Sequence, residues 1–442
     1  MIVPRVVAWL DERLGTNAGA RYLLAKIYPD HWSFYLGEIA LYFFITLVAT
    51  GVWLTFAFDP SSQGAYASVL ALTDRAHPIG FVTRQVHHWA AICFIAAILV
   101  HLARIFFTGA FRKPREINWM IGFTMFALAS FTGFTGYSLP NDLLSGSGLR
   151  ISESIALSLP LIGRWAASVF NGGDAYPGQL LIPHLYTLHV YYLPVTLGGL
   201  IALHLGLLIY QKHTQFERDP ANVVGRRFWP DYALRTLAVF GATLGALALL
   251  ATLVEINPVE AYGPYQPWLA ANGSVPDWYT AFLEGALRLG PATEIHIFGH
   301  PIPPVFWPGV VLPGIAFLIL FLWPFIEKRL TGDDTAHDVL DAPTQVPWRV
   351  AVGAAFIFEG VLLTLAAADD QTAMTLHLRL ESLVWAYRIL FAIGPFIVGW
   401  IAWRIAAERR ERIVESAVYP SEVTTLVRNA EGGFDEEEPQ PA

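Results

Sequence analysis

Residues 84–104, RQVHHWAAICFIAAILVHLAR, hold His87 and His101 14 residues apart in an otherwise apolar run. On an α-helix that spacing is a rise of roughly 21 Å with a net turn of only about 40°. Residues 188–204, LHVYYLPVTLGGLIALH, hold His189 and His204 15 residues apart. That is roughly 22 Å along a helix and about 60° around it. Two parallel helices with these pairs can clamp two flat discs between them, one near each end. Two haems, each with one axial imidazole from either helix, meet that description.

The adjoining histidines narrow the choice of ligands. His88 lies about 140° around the helix from His101, and His184 about 160° from His204, so neither shares a face with those partners. A single histidine in an apolar segment can be a satisfied core group, but ionisable side chains inside a membrane are costly and usually functional. Two pairs matched in rise point to ligation.

The 442-residue chain is 55% hydrophobic and only 14% charged, with a mean hydropathy of +0.46. A soluble domain carries about 25% charged residues, so this composition specifies an all-α membrane protein. The net charge of −8 owes much to the acidic end EGGFDEEEPQPA and says little about partners; nothing in it suggests nucleic acid. One cysteine, Cys93, excludes a disulfide framework and reads as a small core residue.

Eight apolar stretches are long enough to span a bilayer, near residues 33–57, 79–107, 118–137, 183–210, 233–254, 305–326, 349–368 and 385–404. No signal-peptide pattern precedes them. Lysine and arginine divide 21 against 7 between the two sets of connections, which puts both termini of this multi-pass chain in the cytoplasm. The second and fourth spans then run parallel, with His87 and His189 near the outer face and His101 and His204 near the inner one. The expected organisation is an amphipathic cytoplasmic segment (1–32), a dihaem four-helix bundle (33–210) and a cytoplasmic connection (211–232). A C-terminal four-helix part (233–405) and an acidic, disordered tail (406–442) follow. Two long outer connections, 138–182 and 255–304, are the places where a site is expected.

Glycine repeats the histidine period. Gly37 and Gly51 in the first span are 14 residues apart, as are Gly122 and Gly136 in the third. Small-residue helix packing explains isolated glycines; agreement of both pairs with the haem spacing instead predicts close approach of a macrocycle. Arg84 and Arg104 each lie three residues from a ligand, on its face and displaced toward the nearer surface. There a guanidinium can pair with a haem propionate. For Arg104 the competing reading is a plain inner-side anchor.

The stretches already quoted, together with GYSLP at 136–140 and PDWY at 276–279, resemble the cytochrome b subunit of quinol–cytochrome c oxidoreductases. The likeness covers about residues 30–405, and the PDWY form with the 15-residue fourth-span spacing resembles the actinobacterial type. It implies eight membrane helices, two non-covalent b haems, an outer quinol site and an inner quinone site. Pro276, Asp277, Trp278 and Tyr279 would form the outer site, with Asp277 and Tyr279 accepting or positioning the quinol proton. By residue chemistry alone PDWY can also be a proline-led turn with an aromatic anchor. Many relatives carry a carboxylate on the fifth helix near the inner site; Thr236 fills that position here, and a fourth-helix histidine is shifted to His213. The chain has no CxxCH and no Rieske-type cysteine–histidine cluster. The resemblance therefore implies a separate Rieske iron–sulfur protein and cytochrome c subunit, in a complex that is homodimeric. A dihaem anchor of a formate dehydrogenase or hydrogenase needs fewer spans and no such loops. A transporter would show inverted repeats or broken helices at a substrate site.

Overall fold

A computed structural model describes residues 24–29, 31–216, 225–270, 275–297 and 300–418, with scattered positions among the first 15 and two short strands near the C-terminus. The chain is 73% helical, an all-α membrane fold. Among the described residues, seven helices are long and apolar enough to cross a membrane, and a bent pair taken as one span makes an eighth. They are Trp32–Leu54, Pro78–Phe107, Glu116–Ser138, Leu181–Gln211, Phe228–Leu253, Trp307–Phe321 with Trp323–Thr331, Pro347–Ala366 and Leu380–Arg412, here the first to eighth spans. The sixth, expected near residues 305–326, bends by 63° between Phe321 and Trp323. Pro324 explains the break, since it has no N–H for the preceding turn. Arg349 Nε meets Glu327 Oε2 at 3.1 Å and Arg349 Nη1 meets Asp341 Oδ2 at 2.8 Å, tying the bent end to the seventh span.

The first span packs on the second and the third on the fourth; the fifth lies against the first and second, the sixth against the third, the seventh against the second and eighth. One buried cluster joins four of these helices through Ala40, Phe43, Ala90, Phe94, Ala129 and Leu247, and Tyr279 completes it. Lipid is as apolar as these side chains, so close packing rather than transfer from water holds them; alanines at the crossings let backbones approach.

The long connections fold as well. Asp142 caps the helix Leu143–Leu157, accepting from Ser145 N at 2.8 Å while Ser145 Oγ accepts from Asp142 N at 3.1 Å. That reciprocal cap satisfies two otherwise orphan donors. The helix Gly163–Asn171 follows, ended by Gly172 at φ 70°, where glycine avoids the left-handed penalty. The second connection is stitched to the first: Leu143 N donates to Gly263 O (3.0 Å) and Tyr265 N to Asn141 O (3.0 Å). At the opposite end Ile27–Pro29 pairs antiparallel with Gly225–Arg227. The eighth helix runs on to Val418, and Thr425–Arg428 pairs antiparallel with Phe434–Glu437. Most of residues 1–23 and the remainder of the tail lie outside the described residues.

Candidate functional site

The second and fourth spans bring their histidines face to face. The His87 and His189 ring centres are 6.1 Å apart, and those of His101 and His204 6.5 Å. Two metal–imidazole bonds of about 2 Å plus the two ring radii separate axial ring centres by about 6 Å. Both pairs therefore have the spacing of a bis-imidazole iron site. The unequal sequence spacings are reconciled locally. Leu188–Tyr192, which contains His189, is a π-helical turn. A π-turn takes up one extra residue, so 15 residues here advance the chain much as 14 do in the second span. Pro194 follows immediately and has no N–H with which to continue the regular pattern.

Each of the four glycines backs a different imidazole. A Cβ on Gly37 would meet His101 Cε1 at 3.1 Å, one on Gly51 His87 Cε1 at 3.2 Å, and one on Gly122 His204 Cε1 at 3.7 Å; on Gly136 it would overlap the His189 ring. Each glycine thus leaves room beside one of the four imidazoles.

Ring orientation is fixed from behind at the outer pair. Thr50 Oγ1 lies 2.8 Å from His87 Nδ1, and the Thr132 carbonyl 2.9 Å from His189 Nδ1. Engaging Nδ1 leaves Nε2 as the nitrogen free to coordinate. Arg84 donates through Nη2 to Asn257 O at 3.1 Å, while its buried Nη1 has no partner; Arg104 donates through Nε to Ser33 Oγ at 3.3 Å, and its buried Nη2 has none. Each guanidinium thus keeps a desolvated N–H for an anionic group, and a propionate fits that vacancy in hydrogen bonding. Facing imidazoles, glycine-backed rings and two spare guanidinium donors together fit haem.

An open, mostly apolar cavity continues from the His87–His189 slot. Its walls carry Gly51, Gly136, His87 and His189 together with Asp277 and Tyr279. Pro276 and Trp278 do not line it; Trp278 packs against the core cluster.

Asp277 is the polar centre of that second part. His88 Nε2 lies 3.0 Å from Oδ2, Tyr279 Oη donates to Oδ2 at 3.0 Å, and Asn257 Nδ2 to Oδ1 at 3.4 Å. Burial raises the Asp277 carboxyl, but His88 and the hydrogen bonds from His88, Tyr279 and Asn257 outweigh it, and the net shift is below the usual carboxylate range. Tyr279 is fully buried and pushed well above the ordinary phenol by burial and by Asp277, so it stays protonated as a donor. A Cβ on Gly133 would collide with the Tyr279 ring at 2.6–2.8 Å, so that glycine admits the phenol into the third span. His88, facing away from the ligands as its angle predicted, was missed as a member of the site. Nothing in the sequence links position 88 to position 277.

The model "Cytochrome b(N-terminal)/b6/petB" matches residues 92–264. The chain is 44% identical to the cytochrome bc1 complex cytochrome b subunit of Mycobacterium leprae (strain TN), over 93% of this chain and 79% of that one. The chain belongs to the cytochrome b family of cytochrome bc1 complexes. The Streptomyces coelicolor subunit of the same name is 39% identical, over 97% of this chain and 82% of its own length. Among solved structures, a "Hyperthermophilic respiratory Complex III" chain aligns with a TM-score of 0.66 at 21% identity, covering 89% of this chain and 99% of that one, a likeness of fold.

Proposed function

We propose that this chain is the dihaem, quinol-oxidising subunit of a respiratory quinol–cytochrome c oxidoreductase. The observation that carries the reading is the cavity shared by the His87–His189 pair and the Asp277 carboxylate. On this reading, one bound molecule would meet both an electron-accepting centre and a proton-accepting group.

His87 with His189, and His101 with His204, would hold two non-covalent haems, with Arg84 and Arg104 pairing their propionates. Bound haem supplies reversible one-electron storage. Asp277, held ionised by His88 and Asn257, takes a quinol hydroxyl proton; Tyr279 has already committed its proton to Asp277 and so positions that carboxylate rather than serving as the base. The apolar remainder of the cavity excludes water from the reacting oxygen.

Two-electron quinol oxidation then needs a second one-electron acceptor, which this chain does not contain. A Rieske iron–sulfur protein and a cytochrome c subunit fill that role in a homodimeric complex of a prokaryotic plasma membrane. With both termini cytoplasmic, protons are released outside and taken up inside, which builds a proton-motive force. The quinone-reducing site lies at the end carrying His101 and His204.

The test is the purified complex. The expected result is a reduced spectrum with two b-type haems, quinol–cytochrome c reductase activity, and loss of one haem in His101→Ala. A complex with no b-type band overturns the reading.

A further inference from the structure

Gln85 of the second span is fully buried, and neither the ligand pairs nor the acid chemistry above uses it. Its amide pairs twice with one peptide of the outer connection. Ile256 N donates to Gln85 Oε1 at 3.0 Å, and Gln85 Nε2 donates to Ile256 O at 3.4 Å. Two neighbours in the same helix hold the flanking peptides: Trp89 Nε1 donates to Val254 O at 2.9 Å, and Arg84 Nη2 to Asn257 O at 3.1 Å. Arg75, just before that helix, ion-pairs with Glu255. Every residue from Val254 to Asn257 is thus held by a side chain from the segment 75–89.

The chain leaves its helix after Leu253, so the peptides that follow need partners outside it. That need alone accounts for Trp89. Asn257 adds something more. It stands at φ 44°, a left-handed conformation that asparagine tolerates better than most residues. It lines the cavity there, and its Nδ2 donates to Asp277 Oδ1 at 3.4 Å. A bond of that length is lost on a small further displacement, so it depends on how firmly the segment is held. The second span therefore reaches Asp277 by two routes, directly through His88 and indirectly through Gln85, Ile256 and Asn257. The same stretch sets His87 opposite His189.

We propose that Gln85 is a positioning residue for quinol oxidation: by clamping the Ile256 peptide it holds Asn257 against Asp277, and so fixes the acid relative to the His87–His189 pair. This rests on the outer-site reading above and adds the strut that sets its geometry. Gln85 does not line the cavity, so its effect passes through the peptide it holds. Two hydrogen bonds from one planar amide fix that peptide in both position and rotation, as a paired residue in a sheet ladder does. An apolar side chain of the same length leaves the Ile256 N–H and C=O without partners, and the segment shifts to satisfy them.

Gln85→Met keeps length and removes both bonds. Gln85→Glu restores donor and acceptor in its protonated form, and Asn257→Gly keeps the left-handed backbone without the amide. In the intact complex, Gln85→Met should lower kcat for quinol oxidation about tenfold, within the roughly 10²-fold that a group misplaced by about 1 Å can cost. KM should change little and both haem spectra should be intact. Gln85→Glu should recover much of the rate. Adding Gln85→Met to Asn257→Gly should cost less than about twofold more, because the clamp acts through Asn257. Unchanged kcat in Gln85→Met, or full additivity of the two substitutions, overturns the proposal. Loss of assembly or of either haem in Gln85→Met also overturns it, by assigning Gln85 to the fold. Unchanged turnover in Asp277→Asn overturns the outer-site reading instead, whatever Gln85 does.

Discussion

His88 Nε2 and Asp277 Oδ2 stand 3.0 Å apart, which joins a residue of the second span to a loop 189 positions further along the chain. His87 and His88 therefore both line one cavity, the first opposite His189 and the second against the carboxylate. Removing the acceptor should act on chemistry alone. Asp277→Asn is expected to slow quinol oxidation on the order of 10²-fold, the usual size of a lost general base, with both haem spectra intact. Unaltered turnover would reduce PDWY to a structural turn.

His88→Leu should cost turnover while leaving haem content unchanged, and His88→Gln should recover much of it, because an amide N–H can still donate to Asp277. Haem loss in His88→Leu, seen in reduced-minus-oxidised spectra, would contradict the assignment of His88 away from the ligands.

The pH profile follows from the same contact. A carboxyl whose pKa is depressed keeps its charge as pH falls, until the pH reaches that lowered value. Asp277 should therefore impose no acid limb above about pH 4, the ordinary carboxylate value. In His88→Leu the burial effect is less opposed, so the acid limb should move upward. Identical profiles for the two proteins would show that His88 does not stabilise the charged form.

The glycines should grade by clearance. Gly136→Ala would drive a methyl into the His189 ring and should abolish or misplace the outer haem, whereas Gly122→Ala at 3.7 Å sits in ordinary contact and should be tolerated. Gly241→Ala, with nothing within 4 Å, is the neutral reference. Haem per complex, measured by pyridine haemochrome, decides; equal content in all three would return these glycines to helix packing.

The π-turn at Leu188–Tyr192 predicts an asymmetry in deletions. Removing Tyr191, an exposed residue, should relax the turn to a regular helix and keep His189 and His204 in register with two haems bound. Removing Ala96 from the second span has no such turn to absorb it and should rotate His87 away from its partner by about 100°. Retention of both haems after the Ala96 deletion would refute this account of the spacing.

What the sequence determined by itself was periodic and local. Composition required a membrane fold, helix geometry put His87 with His101 and His189 with His204, and the same arithmetic matched Gly37, Gly51, Gly122 and Gly136 to those levels. These follow from one helix at a time, whose repeat is set by backbone hydrogen bonding. The tertiary structure decided what depends on two distant segments meeting. It paired each glycine with a particular imidazole, hid the extra residue of the fourth span in a π-turn, and bent the sixth span at Leu322. It also set His88 and Asn257 against Asp277, and Tyr232 and Thr236 against Glu38. A hydrogen bond between side chains nearly 200 residues apart leaves no period in the sequence, because only the packing of helices fixes which polar groups must satisfy one another once water is gone.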